Sequence, residues 1–361
     1  MKNSYGNQII LTVFGESHGR CVGAVLDGIP AGIFVDEDKI RHQLLLRAPL
    51  AGIGTSRTEP DDFVIESGVA NGMTTGSPIL IRIPNVDYDD KEYDTTLNCP
   101  RPGHSDYAAF CRNGTILPGG GHFSGRVTAG IVACGAILLD MLTKNGIVIG
   151  SHVLSCAALR DPVPADYLDL LPELNKKRFP VFDGEISDKM QSTIKTAAEN
   201  GDSVGACIET FISGVPAGVG EPFFDSLEGT LSHAAFAIPG IKGVSFGDGF
   251  DFCEMYGSAC ADQLRVEDGK IVPSDHNGGI NGGLSNGGVI VMRSAVKPTP
   301  TIAQETKTVN LSDYNNVNVR YEGRHDPCIA PRARVVIDSL CALVICDALC
   351  SRFGSAYFEE R

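Results

Sequence analysis

The chain has 361 residues, of which 43 % are hydrophobic and 20 % are charged, a composition typical of globular proteins with a substantial core. Its formal net charge of -14 argues against a nucleic-acid partner, which would favour a basic face. The 12 cysteines include no CxxC pair and no Cys/His cluster with zinc spacing, so we expect reduced thiols and no metal site.

The N-terminus and the apolar runs show no sign of a targeting or membrane segment. No basic region followed by an apolar stretch opens the chain, and we expect no run long enough to span a bilayer. We therefore expect a cytoplasmic protein without a membrane partner. The length would permit two domains, but no segment has the composition of a linker.

The first half of the chain mixes strands and helices. Apolar or alternating runs predict strands over residues 9–14, 21–26 and 62–69. Asp36 is a typical N-cap and predicts a helix that runs through Leu46. Ser124 can cap a longer helix to about residue 142. Because three glycines precede it, this N-terminus is a candidate anion site.

The second half continues without a regular alternation of strand and helix. Strands are predicted over residues 146–159, 204–213 and 289–296, and helices over residues 187–200, 225–237 and 332–353. This irregular order favours an α+β fold over a doubly wound sheet. No GxGxxG follows a strand and no GxxxxGK[ST] occurs, which disfavours a Rossmann or P-loop enzyme.

Three short segments place a histidine in a turn that contains glycine or proline: residues 15–19 around His18, residues 101–106 around His104, and residues 323–328 around His325. Glycine lets backbone amides approach a ligand, and proline stiffens the turn. Histidine titrates near neutral pH and can both give and take protons. One such turn is equally consistent with a solvated loop. Three together indicate acid/base chemistry on a phosphorylated or carboxylated small molecule.

Basic residues are concentrated beside glycine and proline although the chain is acidic. Guanidinium groups bind phosphate and carboxylate through paired hydrogen bonds, so these residues are candidate anion ligands; for several of them a surface ion pair is the alternative. The set is Arg47, Arg57, Arg101, Arg126, Lys297, Arg324, Arg332 and Arg334.

An ordered set of motifs resembles one family, chorismate synthase. The motifs run from residue 14 to residue 328 in the family's order, so the resemblance covers nearly the whole chain. Residues 54–57 match more loosely than the others. The motifs are residues 14–19 (FGESHG), 54–57 (GTSR), 101–107 (RPGHSDY), 119–121 (GGG) before Ser124, 215–222 (VPAGVGEP), 247–250 (GDGF), 277–280 (NGGI), 297–299 (KPT) and 323–328 (GRHDPC).

The resemblance implies a β-α-β sandwich, with a helical layer between two antiparallel sheets, as a single domain over residues 1–361 and as a homotetramer. It implies the lyase reaction that removes phosphate and a ring proton from 5-enolpyruvylshikimate 3-phosphate to give chorismate, the last common step of the shikimate pathway of aromatic amino acid biosynthesis. The family requires reduced FMN without net redox change. We expect a separate flavin-reducing system, and direct binding of NADPH is left open.

The resemblance also assigns roles to residues. His18 is similar to the histidine that protonates the departing phosphate, and His104 to the one that protonates reduced flavin. Asp326 is similar to the carboxylate that assists proton removal at the ring by the flavin N5. The implied substrate ligands are Ser17, Arg47, Arg57, Ser124 and Arg126. The implied flavin ligands are Arg47, Arg57, His122, Phe123, Ser124, Gly282, Lys297, Pro298, Thr299, Pro300, Thr301 and Arg324.

Two segments depart from the family's pattern. Many members carry Arg-Ser-Ser after the triple glycine, where this chain has His122, Phe123 and Ser124. Many also carry Arg-Arg-Arg-Pro where this chain has residues 45–49 (LLRAP). We predict that His122 still faces bound ligands, because its spacing from the glycines is kept. The histidines without a motif match are predicted to be structural or solvated: His42, His152, His233 and His276.

Two other functions are weighed against the lyase. A flavin oxidoreductase would use the same phosphate-binding loops, but the sequence shows no nicotinamide motif. A non-catalytic anion-binding protein would leave the paired His18 and His104 unexplained. The lyase is the favoured prediction.

Overall fold

The computed structural model describes residues 1–55, 59–87, 98–267, 269–321 and 326–359. Its helices are α1 (Glu37–Arg47), α2 (Asp106–Asn113), α3 (Thr128–Lys144), α4 (Tyr167–Leu174), α5 (Gly184–Glu199), α6 (Leu227–Phe236), α7 (Gly257–Cys260) and α8 (Ala330–Phe353). Its strands are β1 (Ser4–Tyr5), β2 (Ile10–Gly15), β3 (Cys21–Asp27), β4 (Val64–Ser67), β5 (Val69–Ala70), β6 (Met73–Thr74), β7 (Ile79–Pro84), β8 (Val148–Cys156), β9 (Leu159–Arg160), β10 (Ala206–Ser213), β11 (Ile241–Phe246), β12 (Leu264–Glu267), β13 (Lys270–Pro273), β14 (Ile280–Asn281), β15 (Leu284–Ser285), β16 (Ile290–Val296), β17 (Thr306–Asn310) and β18 (Asn315–Val319).

Two five-stranded antiparallel sheets form the outer layers of the fold. The first has the strand order β1-β2-β3-β7-β4, and the second has the order β11-β16-β10-β8-β9. The register of the second sheet pairs Thr210 with Met292 on one side and with Ser151 on the other. Four further two-stranded hairpins lie outside these sheets in the described part of the chain.

Helices fill the space between the two sheets. Helix α3 packs on β2, β3 and β7 of the first sheet, α8 packs on β8 and β10 of the second, and the two helices pack against each other. Helices α1 and α6 complete the layer through contacts with α8. The predicted α+β sandwich, a helical layer between two antiparallel sheets, is therefore confirmed.

Two glycines of α3 allow this close packing. A Cβ at Gly130 would lie 2.4 Å from the backbone carbon of Gly23 in β3, and a Cβ at Gly135 would lie 2.3 Å from the Cβ of Ser339 in α8. Any larger side chain would push the helix away from its neighbour. One hydrophobic cluster accordingly runs from the first sheet through the helices to the second sheet.

Helix α3 corrects one expectation from the sequence. Among the described residues, Gly125–Lys144 has the length and composition of a membrane span, with a mean hydropathy of 1.6. The prediction that no run is long enough was therefore wrong. However, 78 % of its apolar 18-residue stretch is buried inside the fold, as in the core helix of a globular protein.

Most of the predicted elements are confirmed, with shifted ends. Asp36 caps α1 by accepting hydrogen bonds from the backbone N–H groups of Asp38 and Lys39. Ser124 caps a 3-10 turn over Gly125–Val127, from which α3 continues. The predicted strand over residues 62–69 is divided at Gly68, whose φ of 84° does not fit a strand. The sequence analysis missed β7, β11, α2 and α4, and it also missed the short elements β1, β6, β12–β15, β17, β18 and α7.

Candidate active site

The triple glycine, Gly119 to Gly121, is the centre of the site. All three residues have positive φ angles, of 59°, 82° and 53°, which favour glycine. A Cβ at Gly119 would lie 2.2 Å from Cε1 of His18, and a Cβ at Gly120 would lie 2.9 Å from Cε1 of His104. Consecutive glycines therefore bring the two predicted catalytic histidines, 86 positions apart in sequence, against one short piece of backbone.

The turn that carries His18 is fixed to the same segment. The Ser17 backbone N–H donates to the Gly121 carbonyl at 3.1 Å. His122 Nδ1 lies 2.8 Å from the Gly15 carbonyl oxygen, and its Nε2 lies 3.3 Å from Oδ1 of Asn3. His122 thus lines the cavity described below, but both of its ring nitrogens contact protein atoms rather than open space.

A carboxylate and a guanidinium orient His104. Nδ1 of His104 lies 2.6 Å from Oδ1 of Asp106, and Arg101 donates to both oxygens of Asp106, from Nε at 2.7 Å and from Nη2 at 2.8 Å. Burial alone would raise the pKa of Asp106, but the hydrogen bonds from Arg101 and His104 outweigh it and hold that pKa well below its usual range. Asp106 is therefore charged at neutral pH.

A cavity of about 690 Å³ opens beside these histidines, within the range of roughly 300–1,000 Å³ that small-molecule sites occupy. The predicted ligand and catalytic residues that line it are Ser17, Arg47, His104, His122, Phe123, Ser124, Arg126, Lys297, Thr299, Pro300, Thr301 and Asp326.

Cationic side chains dominate one part of the cavity wall: Arg101, Lys242, Lys297 and Arg332. Burial, and next the nearby charge of Lys242, lower the pKa of Lys297. The Lys297 ammonium donates to the Gly103 carbonyl, which joins the His104 turn to the end of β16. The wall is suited to a ligand that carries several negative charges.

Asp326 is one of the carboxylates on the cavity wall, together with Glu59 and Asp61. Its Oδ1 accepts the Thr55 backbone N–H at 2.8 Å, and its Oδ2 lies 2.6 Å from Nη1 of Arg332. Arg332 also donates from Nε to the Arg47 carbonyl at 3.1 Å. These contacts hold Asp326 in place in the segment that precedes α8.

Arg47 and Arg126 form part of the same wall, but protein acceptors already engage them. Asp61 pairs with both guanidinium groups, with the Arg126 contact the shorter of the two. Asp61 adopts a φ of 52°, a strained angle for a residue other than glycine. Burial, and next the charge of Arg332, lower the pKa of Arg47 to about 9.

Comparison with known proteins places the chain in a family. A sequence profile described as chorismate synthase matches residues 9–350. The chain belongs to the chorismate synthase family. The chorismate synthase of Methanosarcina barkeri is 41 % identical over 348 residues, which cover 96 % of this chain and 95 % of that protein. The one from Pyrococcus abyssi is 40 % identical over 350 residues, with coverage of 96 % and 97 %.

A crystal structure of chorismate synthase agrees with the fold. It superimposes with a TM-score of 0.76 at 29 % sequence identity, and the match covers 97 % of this chain and 94 % of that one. As a member of the chorismate synthase family the chain is an enzyme of the lyase class.

Several predicted site residues lie elsewhere than on the cavity wall. His18 is not among the residues that line the cavity, but its ring lies beside Gly119, which does line it. Gly282 lies in the turn between β14 and β15, where a Cβ would meet no atom within 4 Å, and Pro298 faces Gly205. Arg57 and Arg324 fall outside the described residues.

The structure also brings in residues that the sequence analysis did not assign to the chorismate synthase site. These are Glu59, Asp61, Arg101, Asp106, Lys242 and Arg332. Arg101 and Arg332 carried a signal, because both are basic residues beside proline. Asp106 carried a signal too, because it lies in the RPGHSDY motif with Arg101 and His104. Glu59 and Asp61 carried none, since they contact arginines that are distant in sequence.

Proposed function

We propose that this chain converts 5-enolpyruvylshikimate 3-phosphate to chorismate by 1,4-elimination of phosphate and a ring proton, with reduced FMN bound in the same cavity. The observation that carries the proposal is the contact of His18 and His104 with Gly119 and Gly120 beside a cavity lined by cations. The substrate bears a phosphate and two carboxylates, and it therefore complements that wall.

We propose that the cavity holds a flavin mononucleotide together with a substrate. Its volume of about 690 Å³ lies in the upper part of the range for small-molecule sites. Thr299 on its wall has a buried hydroxyl oxygen that no described residue hydrogen-bonds, and a bound ligand would satisfy it. Residues Lys297, Thr299, Pro300 and Thr301 would hold the flavin. Reduced FMN, when bound, supplies transient electron donation to the substrate, without net redox change.

The protein's own groups handle the protons. His18 would give a proton to the departing phosphate, because its turn is fixed against the triple glycine. His104 would hold a proton at Nε2, since Nδ1 is directed at Asp106. Asp326 would hold the proton that leaves the substrate ring. Positioned acids and bases of this kind typically contribute on the order of 100- to 10,000-fold in rate.

Arg47 and Arg126 support the site in a way that differs from simple ligand binding. Their contacts with Asp61, Asn85, Thr128 and backbone carbonyl groups hold the wall together. Arg101 and Arg332 are likewise held by carboxylates, so we propose that Lys242 and Lys297, which have no carboxylate partner among the described residues, make the chief direct contacts with the anionic substrate.

The surface supports the proposed homotetramer. Phe223 and Phe224 are 89 % and 98 % exposed, and Phe223 has a φ of 61°. The hairpin β12–β13 also exposes apolar side chains. A second copy of the chain would cover such surface, and Phe224→Ser should weaken the assembly in sedimentation measurements. An unchanged sedimentation profile would remove Phe224 from the interface.

We further propose a cytoplasmic enzyme, with residues 1–361 as one domain, supplied with reduced flavin by a separate protein. The continuous hydrophobic cluster supports one domain. Adding a flavin-reducing partner to aerobic enzyme with oxidised FMN should restore turnover, whereas NADPH alone should not. Turnover with NADPH alone would contradict the need for a separate supply.

Anaerobic mixing of the enzyme, reduced FMN and 5-enolpyruvylshikimate 3-phosphate tests the function. We expect one phosphate released for each chorismate formed, with the flavin still reduced at the end. Net oxidation of the flavin would indicate an oxidoreductase instead. Binding of the substrate without any product would indicate a non-catalytic anion-binding protein.

A further inference from the structure

Asp106 is the most completely engaged carboxylate beside the cavity. It is 1 % exposed and accepts hydrogen bonds from Arg101 at three positions, the backbone N–H at 3.1 Å, Nε at 2.7 Å and Nη2 at 2.8 Å. Its Oδ1 also lies 2.6 Å from Nδ1 of His104. Three donors from Arg101 on one buried carboxylate keep it charged and immobile.

The position of the hydrogen on His104 follows from these contacts. A charged Asp106 has no proton to donate, and the Arg101 guanidinium is a donor only. If Nδ1 lacked a hydrogen, it could accept from Nη2 of Arg101 at 3.0 Å, but its lone pair would face the charged Oδ1 of Asp106 at the shorter distance of 2.6 Å. Nη2 of Arg101 already donates to that oxygen at 2.8 Å. Nδ1 therefore carries the hydrogen and donates it to Asp106, and Nε2 is the nitrogen left for a ligand.

We infer that Asp106 is a positioning residue of the reaction, which acts through His104. It fixes the tautomer with hydrogen on Nδ1 and stabilises the imidazolium that forms when Nε2 takes a proton, as a buried carboxylate does for the histidine of a serine protease. Arg101 holds Asp106 in the required orientation, and Gly120 lets the ring approach the backbone. The inference rests on the proposed acid/base role of His104.

Solid-state nitrogen NMR of histidine-labelled protein tests the orientation without turnover. The His104 signals are assigned by their loss in His104→Gln. At a pH where the ring is neutral, we expect Nδ1 to be protonated and Nε2 to be bare. The opposite tautomer, with a bare Nδ1, would overturn the inference whatever the enzyme catalyses.

A double-mutant cycle tests whether Asp106 acts through His104. Asp106→Asn should slow turnover on the order of 100- to 10,000-fold, and it should add almost nothing in the His104→Ala background. Losses that multiply in the double variant would show an independent structural role and overturn the inference.

A second variant keeps the cycle usable if Asp106→Asn does not fold. Asp106→Glu keeps the negative charge for Arg101 but displaces the carboxylate from His104, and the same cycle applies with the same two readings. Full activity of His104→Ala would overturn the proposed role of His104 itself, and the NMR result would still decide whether Asp106 orients the ring.

Discussion

Two histidine clusters in this molecule contain the same residue types but differ in exposure and in what the second ring nitrogen contacts. His104 and His152 each contact a buried aspartate through Nδ1, at 2.6 Å and 2.7 Å. The His104 side chain is 21 % exposed and lines the large cavity, whereas His152 is fully buried. The second ring nitrogen makes the difference, because Nε2 of His152 lies 3.1 Å from Glu209.

The second ring nitrogen distinguishes the buried His152 from His104, the proposed acid/base. His152 lies between two carboxylates, so each ring nitrogen faces an acceptor and the charged form of the ring is favoured. Burial alone would lower the pKa of His152, but the hydrogen bonds to Asp161 and Glu209 outweigh it and raise that pKa. His104 has one nitrogen engaged by protein and one left for chemistry. The predictions below test this distinction.

The largest expected effect is on turnover, when either of the two histidines that contact the triple glycine is replaced. His18→Ala and His104→Ala should each fold normally and lose on the order of 100- to 10,000-fold in rate at saturating reduced FMN. The exposed His42 provides the matched control, and His42→Ala should keep full activity. Near-normal turnover of either site variant would remove that histidine from the mechanism.

The next effect is on stability at the fully buried cluster. His152→Leu leaves two carboxylates without their shared cation, and breaking such a buried pair costs about 3–5 kcal/mol in the free energy of unfolding. His42→Leu is the control and should change stability by less than about 0.5 kcal/mol. If urea denaturation gives only a small decrease in the free energy of unfolding for His152→Leu, the cluster does not stabilise the fold.

The contribution of His152 to stability should depend on pH, in a direction that its raised pKa determines. The folded protein raises the pKa of His152 above its unfolded value of about 6.5. Its contribution to stability is therefore complete below about pH 6.5 and is lost as the pH rises through the folded pKa. The stability difference between wild type and His152→Leu should shrink from pH 6 toward alkaline pH. A constant difference across that range would contradict the charged state.

Asp326 offers an intermediate effect on turnover. Asp326→Asn keeps the shape and removes the charge, so we expect the rate to fall on the order of 100-fold while flavin affinity changes little. Rate and flavin dissociation constant are measured separately. Full activity would leave Asp326 a structural role, the anchoring of Thr55 and Arg332.

The smallest effect concerns His122, which joins the triple glycine to the His18 turn. His122→Ala removes the hydrogen bond to the Gly15 carbonyl, and the loss of one such bond of about 1 kcal/mol corresponds to roughly fivefold in rate. His122→Gln can still donate and should recover most of it. Equal rates for both variants would show that this hydrogen bond does not position His18.

The sequence predicted the layers of the fold better than the pairing of distant groups. Asp36 before an apolar pattern predicted α1 because a cap is a local interaction. The predicted strand over residues 62–69 is divided at Gly68, where the backbone has a φ of 84°. The chain there approaches Ile79, 11 positions away, so closely that a Cβ would lie 2.6 Å from its Cα. The β7 strand shows alternating burial, so its pattern was present in the sequence and was overlooked.

Contacts between residues far apart in sequence also limited the prediction of the candidate site. The motifs predicted catalytic roles for His18 and His104, but they carried no sign that Gly119 and Gly120 would each support one of these histidines. The structure pairs Asp326 with Arg332, six positions away, a contact that the motif did not predict. The role of Asp61 depends on Arg47 and Arg126, 14 and 65 positions away, and no local pattern reports such contacts.

A crystal structure of the enzyme with FMN and 5-enolpyruvylshikimate 3-phosphate, grown under reducing conditions, tests the central claim most directly. We expect both ligands in the cavity beside the triple glycine, with a ligand atom within about 2.6–3.2 Å of Nε2 of His104. The chain has a second cavity of about 490 Å³ beside the His152 cluster, lined by Arg160 and Arg293. Ligands bound there, with the first cavity empty, would contradict the account.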